Sequence, residues 1–210
     1  MKIRKYVTGI TGLVFVIIGI SASPPDYKGK PWNGELQYIP GKIIAAFYDE
    51  GGEGIAFHNP AAKNNGSEGI GLARNGKYEI GISSTRLGLD KFKDGTDLPA
   101  DKYYVGWIVP EEWLNYSVDV KTAGTYQINM LLSTAKEATE ISLSVDGVDK
   151  TGAIILEITG HVHTWLMCTN IAEIKLEKGR QVITLKFLKQ GHMNIQYIEF
   201  VLKVSEKVKL

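Results

Sequence analysis

Residues 103–116, YYVGWIVPEEWLNY, hold two of the chain's four tryptophans and three of its ten tyrosines. They read as two short strands joined by the turn Val109-Pro110-Glu111, because Pro110 fixes its own φ and has no N–H to give a sheet ladder. Alternate residues of a strand share a face. Tyr103, Val105 and Trp107 are therefore expected together before the turn, and Trp113, Asn115 and Ser117 together after it. Two aromatic strands in succession can build a core, a flat exposed platform, or one of each. The flanking sequence has to decide.

Downstream the pattern is regular. Tyr116, Val118 and Val120 alternate with polar residues, Ala123-Gly124 makes a turn, and Tyr126, Ile128 and Met130 resume the alternation. Ile141, Leu143 and Val145 do the same before Asp146-Gly147, and β-like runs follow at 153–158, 172–176, 182–188 and 194–202. Upstream, runs at 42–48 and 54–58 precede a long polar stretch, 59–102, with Asn65-Gly66 and Asn75-Gly76 turns and one strand expected at 78–83. Short strands at this spacing predict an all-β sandwich. No convincing amphipathic helical stretch, internal repeat or low-complexity tract interrupts them.

The 210 residues are 44% apolar and 22% charged, an ordinary composition for one globular domain. Lys2, Arg4 and Lys5 precede an apolar run from 7 to 20, followed by Ser21, Ala22 and Ser23, the layout of a secretory leader. The run is too short for a comfortable membrane span. Cleavage is expected after Ala22, with an uncleaved N-terminal anchor as the alternative. The resulting division is 1–22 leader, 23–37 an extended lead-in rich in Pro and Gly that Trp32 is placed to pin, and 38–205 the sandwich. Export to the cell exterior or periplasm follows, without a membrane span in the mature protein.

Removing the leader takes three cations and no acid from 24 Lys+Arg and 23 Asp+Glu, which turns a formal charge of +1 into −2. That leaves no basic excess for a phosphate backbone, and nucleic acid is not an expected partner. Cys168 is the single cysteine. An internal disulfide is impossible, no cysteine offers the usual bacterial lipid attachment, and Cys168 itself sits in an apolar run as a buried thiol.

Certain pieces, in order, resemble carbohydrate-binding modules of family 6. They are Ile39-Pro40-Gly41-Lys42-Ile43, the run from Tyr48-Asp49-Glu50 to Phe57-His58, Val105-Gly106-Trp107 with Glu112-Trp113, Ala123-Gly124-Thr125-Tyr126, and Asn194-Ile195-Gln196-Tyr197-Ile198-Glu199-Phe200. The resemblance implies a β-sandwich jelly roll that binds a polysaccharide or oligosaccharide without cleaving it, with room for a separately encoded glycoside hydrolase as partner. It places Trp107 as the aromatic under a sugar ring, Asn194 as a hydrogen-bonding partner of its hydroxyls, and His58 and Tyr103 around them. The residue types suit the task, since a sugar ring has an apolar C–H face and a polar rim. From the residues alone the alternatives are a core tryptophan at Trp107, a satisfied buried histidine at His58, and a strand-end residue holding backbone groups at Asn194.

Three departures from the family pattern stand out. Val162 occupies the place of a second, sandwiching tryptophan three residues before Trp165. Ile44, Ala46 and Gln196 stand where a structural calcium usually finds carboxylates, so no cofactor and no metal is expected. Glu111 stands at a turn position usually given to glycine, and a changed turn shape is expected. The first two favour an alternative role, a sandwich that has lost sugar binding and serves as a structural or interaction unit. A glycoside hydrolase is the weakest reading. Glu111 and Glu112 point to opposite faces and read as solvated turn charges. His161-Val162-His163, read as a strand, offers two imidazoles on one face with no further zinc ligand nearby.

Overall fold

The computed structural model describes residues 26–61, 80–135, 137–189 and 192–204. The expected leader, 1–22, and the Asn65-Gly66 and Asn75-Gly76 turns lie outside the described residues. Six long strands carry the fold, and along the chain they alternate between two sheets. Trp113–Val120, Thr139–Val145 and Gly179–Lys189 belong to the first, and Gly124–Thr134, Thr164–Leu176 and Met193–Leu202 to the second. This alternation is the signature of a β-sandwich jelly roll, as the sequence predicts. Shorter strands extend both sheets. Gln37–Ile39 pairs in parallel with Trp113–Val120, and Tyr103–Val105 and Gly41–Ile44 pair with Met193–Leu202.

The predicted alternations face inward. Leu114, Tyr116, Val118 and Val120 are fully buried against Ile128, Met130, Leu132, Ile141 and Leu143, and Cys168 joins the same core. Burial also pushes the Cys168 thiol upward in pKa, which keeps it in the unreactive thiol form. The strands run longer than the sequence patterns suggest, notably Thr164–Leu176, which absorbs a bulge between Cys168 and Ala172 with Asn170 in the left-handed region. Run 42–48 departs from expectation. It is a strand only to Ile44 and then turns through Ala45–Phe47 as a 3-10 helix.

A second, smaller core lies on the outer face of the second sheet. Leu98, Tyr104, Leu131, Trp165 and Tyr197 form it, under the loop that runs from Thr85 to Lys102. Trp165 is fully buried there, its ring edge-on to Tyr104 at 5.3 Å between centroids. Trp165 therefore fills this outer cluster and not the sandwich interior. Trp113 is not core either. The inward faces of its strand belong to Leu114 and Tyr116, so Trp113 is half-buried on the outer face of the first sheet.

Tyr27, in addition to the partly buried Trp32, ties the lead-in to the domain. Tyr27 Oη donates to Asp49 Oδ2 at 2.7 Å, and Lys30 and Glu50 exchange backbone hydrogen bonds of 2.8 and 2.7 Å. Asp49 is buried and also accepts from Ser117 N and Ser117 Oγ, at 2.8 and 2.6 Å. No helix among the described residues is long and apolar enough to cross a membrane.

Candidate functional site

The site grows from the break at the end of the Tyr103–Val105 strand. Gly106 N still donates to Gly81 O at 2.8 Å, and then Trp107 takes φ +53°. A bulky residue in the left-handed region is an outlier, and such outliers gather where ligands bind. The kink throws the indole outward, leaving it 45% exposed beside Ile108, which is buried. It also undoes the strand's alternation. Tyr104, not Tyr103, ends on the side of Trp107, whereas Tyr103 packs toward the main core with its ring 6.3 Å from Phe47.

Trp107 and Asn194 line one pocket of about 240 Å³, together with Val162, Met193 and the ring of Tyr104. Asn194 is buried at the start of its strand, where its Nδ2 donates to Val162 O at 2.8 Å. Ser133 Oγ donates to the same carbonyl at 2.6 Å, so the Val162 turn is tied from two strands. Gly106 makes room for this arrangement, since a Cβ there would collide with Asn194 Oδ1. Asn194 thus performs the backbone-holding role and keeps its second N–H and its carbonyl for the pocket.

The back wall is built around Asp90, which is fully buried. Its Oδ1 accepts from Trp165 Nε1 at 2.8 Å and lies 3.0 Å from His163 Nδ1, and its Oδ2 accepts from Arg86 N at 2.8 Å. His163 and Arg86 thereby reach the pocket, as does His192, which also adopts a left-handed backbone at φ +47°. The Tyr104 phenol is held above its ordinary pKa, first by burial and then by the Asp90 charge, while Ser83 and Arg86 pull it the other way. Residues 161–163 form a turn and not a strand, with the two imidazoles 5.4 Å apart. No group of three or more His, Cys, Asp or Glu is placed to hold a metal among the described residues.

His58 is elsewhere. It pairs with Trp113 on the first sheet, its ring 6.1 Å from that indole, and its Nδ1 meets the Glu53 carboxylate. His58 and Tyr103 therefore do not join Trp107 and Asn194. The glutamates at the turn also differ from expectation. Glu111 keeps the left-handed conformation, φ +70°, that a glycine would adopt, and pairs with Lys186 at 2.7 Å. Glu112 is buried, with Oε2 accepting from Val109 N at 3.4 Å and Oε1 without a partner. It does not line the pocket, and it is no solvated turn charge.

Three further lining residues, Tyr104, Arg86 and His192, carry no pattern in the sequence that points to the pocket. Tyr104 was hidden by the kink, and the other two arrive from loops with no local signature. His163 had a signal in the His-Val-His pattern, but the pattern says nothing of the Asp90 that orients it.

A larger hollow, about 740 Å³, lies on the first sheet beside Tyr27, Tyr38 and Arg180. Its one exposed ring, Tyr38, already carries Lys121 Nζ at 4.1 Å from the centroid. The smaller pocket differs in presenting an open indole over an ordered polar wall.

The model of carbohydrate-binding module family 6 matches residues 88–202, more than half of the chain, and the chain belongs to that family. The solved structures it is similar to include a family 6 module of Clostridium stercorarium in complex with cellobiose, 17% identical, with TM-score 0.52 over 81% of this chain and 99% of that one. A β-1,3-glucan-binding family 6 module of Bacillus halodurans is 15% identical, with TM-score 0.52 over 80% of this chain and 99% of that one. A family 43 arabinoxylan arabinofuranohydrolase of Bacillus subtilis, solved with cellotetraose, is 12% identical with TM-score 0.51, and the match covers 80% of this chain but 28% of that enzyme. No curated protein sequence matches the chain.

Proposed function

We propose that this protein is an exported, non-catalytic module that holds a glycan by stacking one sugar ring on Trp107, with Asn194 bonding its hydroxyls. The observation that carries the reading is the exposed indole on a left-handed backbone, at the mouth of a pocket whose polar groups are fixed from behind. A pocket of about 240 Å³ is small beside the roughly 300–1,000 Å³ of drug-sized sites. It suits one ring, with the rest of the chain crossing open surface. Catalysis has no support here. No carboxylate lines the pocket among the described residues, and the buried Glu112 lies outside it. A separately encoded glycoside hydrolase would supply the chemistry.

Affinity electrophoresis of the protein against soluble plant, algal and microbial polysaccharides tests this reading. Retardation by at least one glycan, with no release of reducing sugar, is expected. Free migration in every gel would support the alternative of a sandwich that has given up sugar binding, which Val162 in place of a second aromatic favours.

Val162 offers a gain-of-function test. Its backbone is held by Ser133 and Asn194, so Val162→Trp should present a second face to the ring without moving the turn. Affinity for the retarding glycan should rise by about 1–3 kcal/mol, taking base–aromatic stacking as the analogue. Titration calorimetry giving an unchanged or weaker Kd would show that no ring sits between positions 107 and 162.

The family's usual calcium does not fit this chain. Calcium takes six to eight oxygens, and of Ile44, Ala46 and Gln196 only the last has a side-chain oxygen. Ala46 is fully buried, and the Gln196 Nε2 is a buried donor without a partner. We propose a calcium-independent fold. A ligand of the folded state alone raises its stability with concentration, so melts in EDTA and in millimolar calcium should superimpose. A clear rise with calcium would contradict the proposal.

A further inference from the structure

Taking the Trp107 pocket as a sugar site, we propose that it selects an anionic sugar, one bearing a carboxylate or a sulfate ester, and that Arg86 is the residue that pairs with the anion. The inference rests on the reading in the preceding section and adds to it the class of glycan. It begins with the charges that face the pocket. Among the described residues its lining contains no aspartate or glutamate, and three basic residues, Arg86, His163 and His192, reach it from three separate segments.

Arg86 is the decisive one. Lys91 and Lys93 in the same loop are paired, with Asp97 at 2.9 Å and Glu157 at 2.6 Å. The Arg86 guanidinium has no ion-pair partner among the described residues, although it lies near enough to favour ionisation of the Tyr104 phenol inside the pocket. Asp90, which holds the Arg86 backbone, is fully buried and does not line the pocket. Asp90 is already met by Trp165 Nε1, His163 Nδ1 and the backbone N–H of Arg86. An arriving anion therefore meets the guanidinium before it meets any negative charge.

The arginine is also placed and not merely present. Its N–H is tied to Asp90 Oδ2 and its carbonyl accepts from Asp90 N at 3.0 Å, so the side chain leaves from a fixed turn. Guanidinium presents a planar fork that matches carboxylate and sulfate oxygens two at a time, and charge-assisted bonds of this kind are about twice as strong as neutral ones. The formal charge of the whole chain, +1, is too small to draw anionic polymers by its general field. Selectivity must come from the pocket.

The test is titration calorimetry of the purified protein at low salt with three sets of oligosaccharides of similar length. Oligogalacturonate carries carboxylates, oligocarrageenan carries sulfate esters, and cello-, laminari- and galacto-oligosaccharides carry neither. At least one acidic set should bind about tenfold tighter than the best neutral one, the scale of one charge-assisted contact. That preference should shrink as sodium chloride rises, and the acidic set that wins identifies the anion. Arg86→Gln should cut the acid-to-neutral affinity ratio about tenfold, and Arg86→Lys should cut it less. A neutral glycan that binds as well as the acidic ones and is lost in Trp107→Ala would overturn the anion assignment and leave the sugar site standing. An Arg86→Gln variant with an unchanged ratio would overturn it too. Binding that ignores both Trp107 and Arg86, or no binding by any set, would remove the site and the inference together.

Discussion

Trp165→Ala is expected to lose most of the folded population at physiological temperature, although Trp165 is not part of the sandwich interior. The indole is fully buried between Tyr104, Leu98 and the Thr85 to Lys102 loop. Truncating a buried tryptophan costs about 3–5 kcal/mol through lost transfer energy and the cavity left behind. Removal of Nε1–H also takes one of the donors from the buried Asp90, which adds about 1–3 kcal/mol. A domain has only about 5–15 kcal/mol to lose. What the loop loses is the side-chain anchor, since its backbone bonds, Lys93 N to Trp165 O and Lys91 N to His163 O, involve groups that the truncation leaves in place. Thermal melts should show Trp165→Ala far below wild type or insoluble, and Trp165→Phe between the two. Trp113→Ala, cut from the half-buried outer face, should shift the melt much less. A Trp165→Ala protein that melts with wild type would mean that the outer cluster contributes nothing to the fold.

The second large effect is a pH dependence centred on Glu112. Burial, with a smaller push from the Glu53 charge, raises its carboxyl from 4.5 to about 8, against the single weak hydrogen bond from Val109. Lys186, the nearby cation, is taken by Glu111. Between about 4.5 and 8 the folded protein holds a proton that the unfolded chain has released, so stability falls as pH rises through that window. The contribution is fully present below 4.5 and gone above 8, and its full span is on the order of 3–5 kcal/mol. Other groups titrate too, so the informative quantity is the difference between wild type and Glu112→Gln. The variant should lack this slope, with its melting temperature gaining on wild type from pH 5 to pH 8. Parallel curves for the two proteins would place the ionised form of Glu112 comfortably in the fold.

Much of the architecture was legible in the sequence because period-two alternation is a local signal. Tyr116, Val118 and Val120, and then Ile141, Leu143 and Val145, face inward as their spacing requires. What the alternation could not carry was its own interruption. The left-handed turn at Trp107 follows an ordinary strand, and it exchanges Tyr103 for Tyr104 at the pocket. The polar stretch up to 102 gave no hint that Leu98 and Asp90 would be fully buried in a second core. That burial depends on Trp165, far along the chain. Glu111 and Glu112 are neighbours of one type, and only tertiary packing makes one an exposed ion-pair partner and the other a buried acid.

The candidate site divides in the same way. Trp107 and Asn194 meet because the strand pairs Val105 with Ile195, a register fixed by alternation on both sides. His58 fell away because its two-residue strand joins the opposite sheet.

On the proposed function, the exposed Trp107 serves a ligand and not the fold. Removing a half-exposed side chain leaves no interior cavity, and the strained backbone at φ +53° gains nothing from the indole. The direct measurement is a paired one on Trp107→Ala, its thermal melt beside its titration with whichever polysaccharide retards the wild-type protein. The variant should melt close to wild type and lose affinity by about tenfold or more, the scale of one lost stacking face. Unfolding of the variant, or an unchanged Kd in a folded one, would contradict that role.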